Sequence, residues 1–336
     1  MWITSSLQAT KVPTHIALGN FDGVHLGHQR VMAEVVGVRS SSDLTVQNSA
    51  ARPVHATVVT FSPHPQAYFS GVSRPLLTPV GEKARQLALL GIEQLVMLPF
   101  NQALAALSPE DFVSKILIDA LQAQRISVGS DFRFGKDRSG DALKLKAIAA
   151  KYNVPVVLVP LREEKGDRIS SSRIRKALQT GNLSEASELL GRPYQLAGTV
   201  VEGKQIGRTI GFPTANLQVS REKFLPCKGV YSVWVYLAAK KAQVQAIQMP
   251  IKGVMNIGNR PTVNGQTLSL EVHLLDWSGD LYGESITIDL GEFIRPEQKF
   301  ESLEALKTQI VKDCETARQS LGSRPNAVAN SVLGVT

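Results

Sequence analysis

Gly19-Asn20-Phe21-Asp22-Gly23-Val24-His25-Leu26-Gly27-His28 follows a short apolar run at residues 15–19 and leads into a helical pattern. A buried strand that delivers a glycine-bearing loop to a helix start is the junction at which open α/β sheets bind ligands. His25 and His28 are three residues apart and share a face if the helix begins there. Gly27 lets a ligand approach the backbone closely. Free N–H groups at a helix start, beside two imidazoles, suit a phosphate. The imidazoles could stabilise the charge that builds when a nucleoside triphosphate is attacked at its α-phosphorus. The same stretch also reads as a surface loop with two solvated histidines.

Four more runs rich in Val, Ile or Leu follow, at 56–61, 94–98, 125–129 and 154–160, with helical spacing between them, as over 109–123 and 141–151. Strand–helix alternation of this kind predicts a parallel sheet with helices on both faces. In a 3-2-1-4-5 strand order the first and fourth of these runs flank the switch point. Residues 39–53 read as a polar loop longer than such a fold needs. After residue 169 the pattern changes. Residues 170–190 read as two short helices divided by Thr180, Gly181 and Asn182, and Gly191-Arg192-Pro193 stops helix formation. From 195 to 293 the chain is strand-like, with Ser269, Glu271 and His273 alternating with Leu268, Leu270, Val272 and Leu274. Such alternation between Gly and Pro turns predicts an antiparallel sheet closed into a small barrel or sandwich. A last helix over 302–320 carries Leu303, Leu306, Ile310 and Cys314 on one stripe. The boundary falls near residue 187. It gives an α/β domain at 1–186, a mostly β domain at 187–322, and a tail at 323–336 expected to be disordered.

The composition narrows the function classes. The chain has 336 residues, 43% of them hydrophobic and 20% charged, which suits two folded domains. No apolar run is long enough for a membrane helix, and residues 1–13 lack the apolar core of a secretory signal. Cys227 and Cys314 are the only cysteines, too few for a disulfide framework or a cysteine-rich zinc module. Cys314 reads as a core thiol, and a reducing, cytoplasmic setting is expected. The net charge of +8 favours anionic partners without choosing among nucleotides, phosphates and nucleic acid.

Two more loops of the first half fall at carboxyl ends of predicted strands: Thr60-Phe61-Ser62-Pro63-His64-Pro65, and Val128-Gly129-Ser130-Asp131-Phe132-Arg133-Phe134-Gly135. Phe132 and Phe134 suit either stacking on a ring or core packing. Beyond the fifth run, Arg168-Ile169-Ser170-Ser171-Ser172-Arg173-Ile174-Arg175 offers serine caps, free N–H groups and guanidinium groups at a helix start, a second phosphate-binding arrangement or a plain capped basic helix. In the second half Gly198, Gly203, Gly207 and Gly211 precede Phe212-Pro213-Thr214-Ala215-Asn216-Leu217. Glycines let backbone amides wrap phosphates. Thr214 and Asn216, two apart on an extended segment, point the same way and offer hard oxygens suited to Mg²⁺. A glycine-rich hairpin is the plainer reading. Glu271 lies on the polar side of its strand, where it could take a proton from an alcohol attacking a γ-phosphoryl group or simply face solvent. Asn256, in a polar loop-forming stretch, and Arg295, in Phe293-Ile294-Arg295-Pro296-Glu297, could line the same site, and Arg295 could equally anchor a loop.

Taken in order and spacing, the four segments of the first half resemble the nucleotidyltransferase superfamily, in the version found in the FAD synthetase domain of bacterial bifunctional flavin enzymes. Ser170-Ser171-Ser172 stands where that family more often has Ser-Ser-Thr, and the hydroxyl is kept. Gly207-Arg208-Thr209-Ile210-Gly211-Phe212-Pro213-Thr214-Ala215-Asn216, Asn256-Ile257-Gly258-Asn259-Arg260-Pro261-Thr262, Glu271-Val272-His273-Leu274-Leu275, Leu281-Tyr282-Gly283 and the segment from Phe293 to Phe300 resemble riboflavin kinase. Together the two likenesses span about residues 14–320. They imply a Rossmann-like adenylyltransferase followed by a β-barrel kinase, making FMN from riboflavin and then FAD, with riboflavin, FMN and ATP as substrates and Mg²⁺ as cofactor. By that resemblance His25, His28, Arg168 and Ser171 hold the triphosphate, with Gly19, Asn20, Phe21, Gly27, Asp131 and Arg173 around the nucleotide. Gly207 and Gly211 approach the phosphates of the kinase's ATP, Thr214 and Asn216 bind Mg·ATP, and Glu271 is the catalytic base. Phe61, His64 and Pro65 in one domain, and Asn256 and Arg295 in the other, are placed at the flavin. Neither nucleic acid nor membrane is expected as a partner, and the chain is expected to be a monomer or to self-associate weakly. Two other classes compete: a nucleotidyltransferase fused to a nucleic-acid-binding β-barrel, which would show a basic stripe with stacking aromatics, and an oxidoreductase that keeps its flavin. Aromatics are only 6% of residues, which disfavours the first.

Overall fold

The structure is a computed structural model that describes residues 1–36, 53–203, 207, 210–237, 250–262 and 265–322. The polar loop at 39–53, except residue 53, and the tail at 323–336 lie outside the described residues. The chain separates into two compact units, Met1–Ser171 and Ser172–Thr336.

The first unit is built on a parallel sheet of β1 (Trp2–Thr4), β2 (Thr14–Leu18), β3 (His55–Ser62), β4 (Gln94–Pro99), β5 (Ala123–Gly129) and β8 (Val156–Val159), in the order β1-β4-β3-β2-β5-β8. A two-residue hairpin pair, β6 (Arg133–Phe134) and β7 (Gly140–Asp141), and a second pair, β9 (Glu163–Glu164) and β10 (Asp167–Arg168), stand apart from it. The five strands predicted from the sequence take the expected order, and β1 is a further edge strand that no periodicity predicts. Alternating residues feed two cores, because side chains along a strand point to opposite faces. Ile16, Leu18, Val59, Val96, Leu98 and Ile126 pack with Phe112, Leu117 and Leu145 on one face. Ala17, Val58 and Leu95 pack with Val31, Met32, Val35 and Leu87 on the other. Helices Leu26–Val36 and Val80–Leu89 cover this second face. The helix expected over 109–123 begins at Pro109 and continues as a π-helical stretch, Phe112–Ala120, closed by the Leu121 N–H donating to Ile116 O at 3.0 Å. It stops earlier than expected because Ala123 is already paired into β5. Phe132 and Phe134 stack on each other at 5.6 Å and pack with the core, the packing alternative of the two foreseen.

Helix Ser171–Gln179 starts on the last residue of the first unit and carries the chain into the second, where helix Leu183–Leu190 follows, the two split where Gly181 takes a positive φ of 75°. A closed antiparallel barrel follows: β11 (Gln195–Val201), β12 (Ala215–Val219), β13 (Gly229–Leu237), β14 (Ile251–Thr262), β15 (Gly265–Leu274) and β16 (Ser285–Arg295), in the order β11-β12-β15-β14-β13-β16, with β16 also pairing β11. Tyr231, Val233, Val235, Met255, Val272, Ile286 and Ile288 are buried within it. Helix Leu303–Ser320 lies on the outside, where Cys314 and Ala317 meet Val230 and Val254. Strand β13 is therefore buried on both faces over Gly229–Val233, which explains why apolar residues stand on both of its faces, interrupted only by the buried Ser232. Ser302 caps the helix, and its apolar stripe begins a turn later than expected, since Leu303 is exposed. Among the described residues no helix is long and apolar enough to cross a membrane.

Candidate functional site

All strands of the first sheet are parallel, so the loops after β2, β3 and β5 leave one edge. The chain leaves β2 for β3 and β4 on one side and reaches β5 on the other, so β2 and β5 bound the switch point at which ligands bind in such sheets. The loop after β2 is tightly wound. Phe21, Gly23 and Val24 have φ of 49°, 89° and 46°, a region that a β-branched residue such as Val24 enters only under strain. Buried hydrogen bonds hold it. The Thr78 N–H donates to Asp22 Oδ1 at 3.1 Å, and the Gly23 N–H donates to Thr78 Oγ1 at 2.9 Å. Asn20 O accepts from Thr60 Oγ1 at 3.2 Å and from Lys83 Nζ at 2.9 Å. Lys83 is buried, and desolvation lowers its ammonium's pKa, a fall opposed by the Asp22 carboxylate. No spacing in the sequence distinguished Lys83 from any other helix lysine.

His25 is buried and His28 half-buried, and their rings stack at 3.5 Å with planes 17° apart. The His28 N–H donates to His25 Nδ1 at 3.2 Å. That bond leaves the proton of a neutral His25 ring on Nε2. Phe21 presents its ring edge-on to His28 at 5.3 Å and packs over Gly19, where a Cβ would stand 3.1 Å from the ring. A Cβ on Gly27 would stand 3.2 Å from the His25 ring. Ser171 Oγ donates to Asp22 O at 2.8 Å, which brings the serine against the same loop. Arg168 and Asp131 form an exposed ion pair with each other. Arg173 belongs to the second unit, where its Nε donates to Glu185 Oε1 at 2.7 Å. At the end of β3, Phe61 meets Phe100 and Phe112. His64 Nδ1 caps the helix Pro65–Ser70 by accepting from the Gln66 N–H at 3.1 Å.

In the barrel, register unites residues far apart in sequence. Asn216 stands opposite Glu271, Glu271 opposite Asn256, Asn256 opposite Val230, and Val230 opposite Arg295. Directly opposed residues share a face, with Cβ atoms about 5 Å apart. One ladder row therefore carries Asn216, Glu271, Asn256 and Arg295. Val230 in that row packs under the C-terminal helix, so the row lies on the barrel's outer face. Asn216 leans over Gly203, where a Cβ would come within 2.0 Å of its Nδ2. Gly207 lies beside Thr214, and a Cβ there would meet Phe212 O at 2.3 Å. Gly211 takes a φ of 89°. His273 Nδ1 lies 2.8 Å from Pro213 O, tying the Thr214 segment to β15. Arg295 is engaged by the buried Asp313, with Nη2 donating to Oδ2 at 2.8 Å and Nε to Oδ1 at 3.0 Å. This realises the anchoring alternative for that guanidinium. Among the described residues no group of three or more His, Cys, Asp or Glu could hold a metal. The hard oxygens of Thr214 and Asn216 still fit an Mg²⁺ that keeps waters and takes its remaining ligands from phosphates.

Comparison with known proteins agrees with this division. The FAD synthetase family matches residues 7–173, and the riboflavin kinase family matches residues 190–321. The bifunctional riboflavin kinase/FMN adenylyltransferase of Escherichia coli strain K12 is 40% identical over 316 residues, 94% of this chain and 95% of that one. The protein of the same description from Pseudomonas fluorescens is 39% identical over 302 residues, 90% of this chain and 91% of that one. A crystal structure described as a macrolide-efflux protein from Streptococcus pneumoniae superposes with a TM-score of 0.79 at 30% identity, covering 94% of this chain and 98% of that one. On the strength of two family matches in that order and of relatives aligned over nearly their whole length, the chain belongs to the bifunctional riboflavin kinase/FMN adenylyltransferase family.

Proposed function

We propose that this chain makes FMN from riboflavin with its second half and FAD from FMN with its first, consuming ATP in each step. The observation that carries this reading is that the two family matches, 7–173 and 190–321, fall one on each compact unit, the first with the stacked histidines and the second with the Glu271 row. We assign the adenylyltransferase to residues 1–186 and the kinase to 187–322.

In the kinase the ribityl 5′-hydroxyl attacks the γ-phosphorus, the bond from that phosphorus to the β–γ bridging oxygen breaks, and ADP leaves. Glu271 takes the hydroxyl proton, and its place between Asn216 and Asn256 supports that role. Thr214 and Asn216 would hold Mg²⁺, which when bound neutralises phosphate charge. Asn256 lies in the flavin's path, and Arg295, fixed by Asp313, braces the end of β16. In the adenylyltransferase the FMN phosphate attacks the α-phosphorus of ATP and pyrophosphate leaves, with no covalent enzyme intermediate. His25 and His28 meet the negative charge that develops, and Gly19, Asn20, Phe21 and Gly27 line the nucleotide. Ser171 and the Arg168–Asp131 pair contact the triphosphate or ribose, and Arg173 supports the segment that follows. Phe61, His64 and Pro65 form the flavin side of the crevice.

The test is a chromatographic time course of riboflavin with ATP and Mg²⁺. FMN that appears first and then gives way to FAD is the expected result. FMN alone would withdraw the histidine site, and no flavin product from riboflavin would withdraw the Glu271 site.

A further inference from the structure

The histidine loop has a support that no motif marks. Helix Val80–Leu89 carries Lys83, which is buried between that helix and the loop, and its ammonium donates to Asn20 O at 2.9 Å. The Thr60 hydroxyl donates to the same carbonyl at 3.2 Å from the neighbouring strand. Burying an ammonium is costly, and a polar contact to a backbone carbonyl is a small return for it. Lysine is seldom fully buried without a partner, and here the hydrogen-bond partner is the Asn20 carbonyl.

What the carbonyl controls is the next amide. In a trans peptide the C=O of one residue and the N–H of the next point in opposite directions. Two donors drawing Asn20 O toward β3 and helix Val80–Leu89 turn the Phe21 N–H away from both. The switch-point crevice lies on the flank of β2 away from β3, toward β5. Among the described residues the Phe21 N–H has no acceptor. Phe21 also has a φ of 49°, so its amide orientation is imposed rather than relaxed.

We propose that Lys83 is a positioning residue for adenylyl transfer: it clamps the Asn20 carbonyl so that the Phe21 N–H is aimed at a phosphate oxygen of ATP. The buried positive charge adds to the field felt by the triphosphate, while the Asp22 carboxylate offsets part of its desolvation. The inference rests on the adenylyltransferase reading of the first unit.

The experiment uses the full chain and steady-state FAD formation from FMN, with the KM for ATP and the KM for FMN measured separately. Lys83→Met removes the donor and keeps the stem. It is expected to raise the KM for ATP about tenfold, the effect of losing one hydrogen bond to a charged group. The KM for FMN should stay within about twofold and riboflavin phosphorylation by the same preparation should be unchanged, since the lost contact reaches only the ATP of the first unit. Lys83→Arg, which keeps a donor, should recover most of the ATP affinity. Thr60→Val removes the second donor at nearly constant volume and should move the same constant in the same direction. It supplies the answer if Lys83→Met does not fold. An unchanged KM for ATP in Lys83→Met, or in Thr60→Val should that variant stand alone, overturns the proposal. So does a fall in kcat with both KM values unmoved, which is the mark of a smaller folded fraction. If the unaltered chain makes no FAD from FMN, the adenylyltransferase reading fails instead, and the two failures are told apart by that control.

Discussion

Glu271 and His28 sit in different compact units, so single substitutions should separate two chemistries within one chain. Glu271→Gln keeps size and polarity but cannot take a proton. Loss of one general base is worth about 10²- to 10⁴-fold, so riboflavin phosphorylation should drop by that order while FAD formation from supplied FMN persists. His28→Ala should give the reverse pattern, and kinetics on both substrates for each variant decide both assignments. Gly203 offers a finer test. A methyl there would strike Asn216 Nδ2, the movable end of a side chain, rather than backbone. Gly203→Ala should therefore cost less than about 1 kcal/mol of stability, yet raise the kinase KM for ATP several-fold by displacing Asn216. A change in thermal midpoint without a change in that KM would make the contact structural only. The histidine pair was legible in the sequence because its spacing is local. Lys83 was not, because its partner Asn20 is 63 residues away and only the sheet brings them together.

Strands β2 to β5 and β8 were legible as short Val-, Ile- and Leu-rich runs, because a sheet buried on both faces leaves that signature. Strand β1 was missed because Trp2-Ile3-Thr4 is an edge too short for any period, and only its pairing with Gln94–Val96 defines it. The ladder row that gathers Asn216, Glu271, Asn256 and Arg295 was likewise hidden, since barrel register is set by closure and not by spacing along one strand. Closure also leaves a titratable group at the seam. Asp289 on β16 is 3% exposed and accepts from Gln195 Nε2 on β11 at 2.7 Å, with the Tyr236 hydroxyl of β13 at 3.3 Å and Arg192 nearby in charge. Burial raises its pKa from 3.8 to about 6, against the opposing pull of Gln195 and Arg192. The folded barrel thus holds this proton where the unfolded chain has lost it. Its contribution to stability is full below the unfolded value, falls as pH rises toward about 6, and is level beyond. A rise of that size corresponds to roughly 3 kcal/mol. Asp289→Asn should flatten that part of the pH dependence and raise the barrel's thermal midpoint at pH 7 by several degrees. Calorimetry of both proteins from pH 4 to 7 checks it, and parallel profiles would exclude Asp289 as the source.

Each unit has its own apolar core, with two clusters flanking the sheet and another beneath the C-terminal helix. The contacts that build the histidine loop, from Thr60, Thr78, Lys83 and Ser171, all come from the first unit. The ladder row with Glu271, and the Asp313 that fixes Arg295, all come from the second. With the histidine loop and the Glu271 row each built by one unit, FMN released by one chain should serve another. Mixing chains that carry Glu271→Gln with chains that carry His28→Ala should therefore convert riboflavin to FAD, although neither does so alone. The FMN must then cross solution. FAD should appear after a lag that shortens as the first-step chains are made more concentrated, and an excess of an FMN-binding apoprotein should suppress it. A mixture that accumulates FMN but never forms FAD, while its Glu271→Gln chains still adenylylate supplied FMN at ordinary concentrations, would show that the product is not released for a second chain. Hand-over within one molecule would then be part of how the two activities are joined.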